Sequence, residues 1–442
     1  MTDDIVERGP SAAPVAFPRR FVAAATVGNA LEFYDFITYA FFSIQIGHAF
    51  FPSHNAYASL MLSLATFGAG FVTRPIGALV IGAYADRVGR RPAMMLSFAL
   101  MGAAVVSLAL IPSYRTIGIA APILAVLARM VQGFSLGGEV GPTTAFLLEA
   151  APLNRRGLAV AWQGASQGIA ATAAALVGFG LSAMLAPAML DAYGWRIAFL
   201  LGAVTLPFGF WIRRRLPETL HAAEATAKVS SAQTGLGLAK ENSRIIVLAL
   251  IVLAAGTIGT YVFNYMATFA QHTLHMSPTV ALLGNAAGSL AAVVSVLWGG
   301  WLSDRIGRRP VMIWPKLVHV ILILPIYFWI VEARSSIALV LGSAILGLVG
   351  NVSAGAFYSA VAESLPRRIR AGAFALIYAL SITFFGGTTQ LVITWLIHIT
   401  GNSMAPAFYV FGAQAIGFVA MMLIVESAPA KTPPLVAMPA PA

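Results

Sequence analysis

Few charged residues interrupt the apolar stretches of this chain, and those that do are of types that move protons and hold anions. Glu32 and Asp35 lie in the first apolar run, Arg74 in the second, and Arg129 and Glu139 in the fourth. An ionised side chain in an apolar medium is costly unless it is paired or reaches water, so such residues are functional candidates by default. Glu32 and Asp35 are three residues apart and share a helix face, with Tyr39 a turn further along it. Counting from Phe21 to Glu32 and from Asp86 back to Arg74, at a rise of 1.5 Å per residue, places both groups roughly 16 to 18 Å deep. They can therefore meet. Ion pairing and desolvation act on a carboxyl in opposite directions. Two acids sharing one arginine make a site where one acid exchanges a proton near neutrality and an incoming carboxylate competes for the arginine. A static ion-pair cluster that fixes helix packing is the structural alternative. On the fourth run Arg129, Gln132 and Glu139 fall within about 80° of arc and form one polar stripe.

The elements that must position these groups are read from composition. Of the 442 residues 59% are hydrophobic and 10% charged, and the mean hydropathy is +0.83, whereas soluble domains carry about 25% charged residues. The chain reads as an all-α, polytopic membrane protein. Its net charge of +11 is spread in short basic groups between apolar runs, which argues against nucleic acid as a partner. There is no cysteine, hence no disulfide or thiolate chemistry. No nucleophile triad, phosphate loop or metal signature stands out, and His272 and His275 stand at an outer loop without a metal-like constellation. An enzyme is not expected.

A bilayer core needs about 20 apolar residues per helix. Runs of that length begin near Phe21, Tyr57, Pro92, Ile117, Gly157, Arg196, Ser243, Pro278, Pro310, Ser335, Ala371 and Met404, giving twelve expected spans. The first is too long for a signal peptide and reads as an uncleaved span. With the N-terminus inside, nearly all Arg and Lys fall on inside segments, while the outer loops hold only Arg115, Arg196 and Arg334. Both termini are thus expected in the cytoplasm. The expected organisation is an N-terminal segment 1–20, a six-helix bundle 21–214, a cytoplasmic linker 215–242, a second bundle 243–426 and a disordered, proline-rich tail 427–442.

The two bundles are related. GAYADRVGRRP, from Gly82 to Pro92, returns as GWLSDRIGRRP, from Gly300 to Pro310. A weaker echo links Glu149, Pro152, Arg155 and Arg156 with Glu363, Pro366, Arg367 and Arg368. The charged ends suggest inner-side networks of Asp86, Arg90 and Glu149 in one half and Asp304, Arg308 and Glu363 in the other, able to close a gate.

With this signature, G-x-x-x-D-R-x-G-R-R, the chain resembles the major facilitator superfamily. GNALEFYDF (28–36), TRPIG (73–77) and RMVQGFSLGGEVG (129–141) resemble its metabolite:proton symporter family. WQGASQ (162–167), FFPS (50–53) and ASLML (58–62) are most similar to the branch that imports citrate and other tricarboxylates. The resemblance implies two six-helix bundles, alternating access, H⁺ as coupling ion without a cofactor, and a bacterial inner-membrane protein in the lipid bilayer that works as a monomer. It implies proton coupling through Asp35 or Glu32, with Arg129 and Glu139, and a substrate carboxylate held by Arg74. A zwitterionic osmolyte or shikimate-like metabolite is the alternative substrate, and a transporter-like sensor the alternative class.

Neutral polar faces complete the expected site. Gln163 and Gln167 share a face of the fifth span, and Asn264 and Tyr265 belong to one on the seventh. With Tyr39 and Arg129 these are the remaining candidates for substrate contact. Lys316 and His319, near the start of the ninth span, are expected at the periphery, the lysine reaching back to the cytoplasmic surface and the histidine packing.

Overall fold

A computed structural model describes residues 19–88, 90–137, 151–204, 243–365 and 370–428, with positions 147, 206–207 and 209–210. The elements are helical, and no strand occurs among the described residues. They are α1 (Arg19–Phe41), α2 (Ser43–Phe50), α3 (Ala56–Val72), α4 (Arg74–Val88), α5 (Arg90–Leu110), α6 (Tyr114–Ile117), α7 (Ala120–Leu136), α8 (Arg156–Met184) and α9 (Trp195–Ala203). After residues 211–242, which are not described, come α10 (Ser243–His272), α11 (Pro278–Ile306), α12 (Arg308–Ala333), α13 (Ser336–Ser364), α14 (Arg370–Ser381), α15 (Gly387–Thr400) and α16 (Ala405–Met422).

A helix coincides with each of the twelve apolar runs. By length and composition eight described helices can cross a bilayer, and Met95–Leu110 and Ala120–Leu136 are shorter apolar helices. The first and sixth runs fall outside that criterion, α1 because of its polar residues and α9 because of its short described length. Starts are encoded locally. Asn55 caps α3 by accepting from the N–H of Tyr57 and Ala58, and Ser277 and Ser335 cap α11 and α13. Large apolar side chains such as Leu79, Trp314 and Ile337 are more than half exposed, a surface that suits lipid rather than water.

Two bundles pack side by side. In the first, α7 lies against α3, α4 and α5, and α8 against α1; in the second, α11 lies against α13, and α16 against α10 and α12. The halves meet where α8 packs on α11, α3 on α15 and α1 on α10. Backbones touch where small residues allow it. A Cβ on Gly133 of α7 would strike the Gly70 carbonyl of α3, and the Thr73 hydroxyl donates to the Met130 carbonyl at 2.6 Å. This seam sets Arg74 and Arg129 beside each other. Gly307, with φ of 105°, makes the left-handed turn between α11 and α12.

The expected linker 215–242 lies outside the described residues, as do residues 1–18 and 429–442 of the expected terminal segments.

Candidate functional site

Between the two bundles lies a cavity of about 200 Å³. Phe33, Phe36 and Ile37 of α1 and Gln167 of α8 line it from the first half. The second half supplies most of the polar wall: Thr257, Thr260, Tyr261 and Asn264 of α10, Asn351 and Tyr358 of α13, and Tyr378 of α14. Lys316 and His319 of α12 and Gln414 of α16 also line it. Gln167 Nε2 donates to the Tyr378 hydroxyl at 3.4 Å and so bridges the halves. Of the sequence candidates, Gln167 and Asn264 reach this cavity.

Others turn away from it. Gln163 Nε2 donates to Asn29 Oδ1 at 3.3 Å, tying α8 to α1 within the first half. The Tyr265 hydroxyl accepts from Thr394 at 2.8 Å, and the Tyr39 hydroxyl donates to the Ser63 carbonyl at 3.2 Å. Neither Arg74 nor Arg129 is part of the cavity wall; both lie in an aromatic layer beside it. The two guanidiniums stand 4.6 and 4.5 Å from the centroid of the same ring, Phe36. Arg74 also covers Phe71 at 4.5 Å, and Arg129 covers Tyr39 at 4.5 Å. Cation–π contact of this kind partly replaces lost hydration. Arg129 Nη1 donates to Gln132 Oε1 at 2.5 Å, while Nε and Nη2 of both arginines are buried without a hydrogen-bond partner. The Tyr261 hydroxyl neighbours Arg74, and Tyr261 and Phe36, which both line the cavity, stand between that cation and it.

Asp35 is 2% exposed, and its Oδ1 is buried without a hydrogen-bond partner. It faces Gly202 of α9, where a Cβ would collide with Oδ1. The cation acting on it is Arg129, and no ion pair joins Asp35 to Arg74 among the described residues. Such a buried carboxyl is either ionised and compensated by Arg129 or neutralised by a proton. The side chain of Glu32 is outside what is described, and Glu139 lies outside the described residues.

At the end of the bundles where α11 meets α8, the repeated motif forms a clasp. Arg308, 1% exposed, donates through Nη1 to Asp304 Oδ1 at 2.7 Å. Through Nη2 and Nε it reaches the two oxygens of Glu363 at 2.9 and 3.1 Å, a bidentate fork. Asp304 in turn accepts from the N–H of Gly157 and Leu158 at 2.8 and 2.9 Å, so a carboxylate of the second half caps a helix of the first. Glu426 closes the rear of the clasp by accepting from the N–H of Arg308 and Arg309 at 2.8 and 2.9 Å. Burial works against the Glu426 charge, but backbone N–H donors outweigh it and hold the carboxyl below the usual glutamate range. The equivalent Asp86 and Arg90 lie in α4 and α5 with side chains that are not described, and Glu149 lies outside the described residues.

At the opposite end the halves also touch. Ser43 and Thr268 hydroxyls are 3.0 Å apart, and the rings of Tyr57 and His398 stack at 3.8 Å. The cavity is thus narrowed at both ends.

Lys316 and His319 correct the expectation of a peripheral position. Lys316 is 5% exposed and donates from Nζ to Gln414 Oε1 at 2.7 Å; it points inward because α12 presents that face to α16 and the cavity. Gln414 and Tyr378 are isolated polar residues on apolar helices, a pattern that in sequence resembles packing contacts.

Comparison with known proteins agrees with this architecture. A family model described as the Major Facilitator Superfamily matches residues 25–377 and 249–440. The citrate-proton symporter of Klebsiella pneumoniae is 36% identical over 403 residues, covering 90% of each chain. The α-ketoglutarate permease of Escherichia coli is 33% identical, covering 91% of this chain and 93% of the permease. Among solved structures, the D-xylose-proton symporter superposes with a TM-score of 0.75 at 19% identity, covering 95% of this chain and 100% of that one.

Proposed function

We propose that this chain, which belongs to the major facilitator superfamily, is a proton-coupled symporter that imports citrate or a closely similar polycarboxylate by alternating access. The observation that carries this reading is the 36% identity to a citrate-proton symporter along nine-tenths of both chains. The cavity supports it independently. Lys316 lines it, and no Asp or Glu does so among the described residues, a balance that suits an anion. A zwitterionic osmolyte, which needs an acid for its cationic end, is the weaker reading on that ground.

In this scheme Asp35 carries the coupled proton and exchanges its compensation between that proton and Arg129. Glu32 and Glu139 belong to the same proton path. Arg74 meets a substrate carboxylate when the wall formed by Tyr261 parts, and Gln167 and Asn264 hydrogen-bond the substrate directly. Gln163, Tyr39 and Tyr265 support the site through the contacts described above. Asp304, Arg308 and Glu363, with Asp86, Arg90 and Glu149 as their counterparts, form the cytoplasmic gate. The protein works as a monomer in the bacterial inner membrane, embedded in lipid, with both termini cytoplasmic. Its halves, 21–214 and 243–426, rock about the cavity, joined by the linker 215–242.

Purified protein in liposomes with an acidic exterior should accumulate labelled citrate and lose that accumulation when a protonophore collapses the gradient. Absence of uptake for citrate, tricarballylate, α-ketoglutarate, shikimate and betaine alike would remove the proposal.

A further inference from the structure

The most unusual group that the repeat motifs and the carboxylate–arginine set leave unused is the lysine in the cavity wall. Lys316 is buried, lines the cavity and donates to Gln414 Oε1 at 2.7 Å. No acid pairs with it among the described residues. Gln414 is itself fixed in one orientation, because its Nε2 donates to the Ala255 carbonyl at 2.7 Å and fits against Gly259, where any Cβ would collide with it. The amide oxygen therefore has to face the lysine. One turn along α12, His319 also lines the cavity, and its Nδ1 is buried without a partner. Space for that ring is left by Gly350, whose Cβ would lie 3.0 Å from Nε2. A buried ammonium held by one neutral acceptor, beside an imidazole with an unused nitrogen, is an incomplete set of polar partners.

We propose that Lys316, aimed by Gln414 and assisted by His319, is a second carboxylate-binding point on the wall of the C-terminal half. It rests on the reading of an organic-acid carrier given above and adds the location of one end of the anion. The Lys316 ammonium and a carboxylate oxygen form a charge-assisted hydrogen bond, with the opposite end of the anion directed toward Gln167 and the Tyr261 wall. A ligand spanning both halves stabilises a closed arrangement that neither half forms alone. Polycarboxylates fit this arrangement better than monocarboxylates because they present an acid to each side.

The test uses full-length protein in liposomes. In Lys316→Gln the KM for citrate should rise about tenfold or more, in line with the loss of a charge-assisted contact, while kcat changes little. Lys316→Arg should recover part of the affinity. Citrate should raise the melting temperature of the wild type but not of Lys316→Met, whose ligand-free form should melt no lower than wild type because a costly buried charge is gone. Equal KM values for wild type and Lys316→Gln, or a ligand-free Lys316→Met that melts well below wild type yet keeps full citrate protection, would overturn the role. Should the lysine variants fail to fold, Gln414→Leu keeps the cation but frees its position. A several-fold rise in KM then supports the proposal, and an unchanged KM refutes it. Failure of the wild type itself to carry any organic acid would instead bring down the functional reading, which separates the two.

Discussion

Replacing Asp304 with Asn should open the cavity toward the side assigned to the cytoplasm. The carboxylate takes two N–H donors from the first turn of α8 in the opposite half and one from Arg308. Hydrogen bonds to a charged acceptor contribute about 1.5–3 kcal/mol each, and the helix terminus adds about 0.3–1 kcal/mol. An amide in its place has one acceptor oxygen, no charge, and an NH₂ group that faces donors. Losing one cross-bundle bond and the terminal charge effect costs the closed arrangement about 3 kcal/mol, or a shift of about a hundredfold in the ratio of closed to open. Because the chain has no native cysteine, Ala354→Cys in the cavity wall provides a single thiol. Its modification by an impermeant maleimide, applied from the cytoplasmic face of inverted vesicles, measures inward opening. The Asp304→Asn background should raise the rate at least tenfold. A rate within a factor of two of the Asp304 background would mean that the clasp does not hold the halves together, and the gate would have to lie elsewhere.

Asp35→Asn should abolish accumulation driven by a pH gradient while citrate–citrate exchange persists, as measured by counterflow; retained accumulation would exclude Asp35 as the proton carrier. Beyond the first apolar run, His48 Nδ1 meets Asp191 Oδ1 at 2.7 Å, and this hydrogen bond raises the imidazole above its ordinary range. A raised folded value means that the contact stabilises fully below the ordinary histidine range and fades as pH rises through the raised one. The melting difference between wild type and His48→Asn should therefore be largest in acid and vanish in base; both groups are about half exposed, which limits it to well under about 1 kcal/mol. Gly133→Val places a side chain against the Gly70 carbonyl, and since backbone cannot yield as a flexible side chain does, the purified protein should lose its monodisperse peak or melt at least several degrees lower.

Where charge sits at a helix end, the sequence was a good guide, and where it sits on a helix flank it was a poor one. Asp304 and Arg308 are separated by one turn of chain at a left-handed glycine, so their meeting is largely a local matter. Glu363 followed from the internal echo. Depth was legible to about one helical turn: the residue count levelled Arg74 with Glu32, and the guanidinium stands over Phe36, four residues further along α1. Azimuth was not. A period of 3.6 says which residues share a face but not which neighbour that face meets. For Asp35 that is decided by Gly202, which leaves room for the carboxyl, and for Arg74 by the aromatic rings that receive the guanidinium. Lys316 is the sharpest case. Eight residues beyond Arg308, about 12 Å along the helix, a lysine can snorkel to the surface on length alone. What prevents it is Gln414, a hundred residues away in sequence, whose amide is locked by α10. The direction of a single side chain thus depends on three helices at once, and the charge inside the cavity becomes visible only when they are assembled.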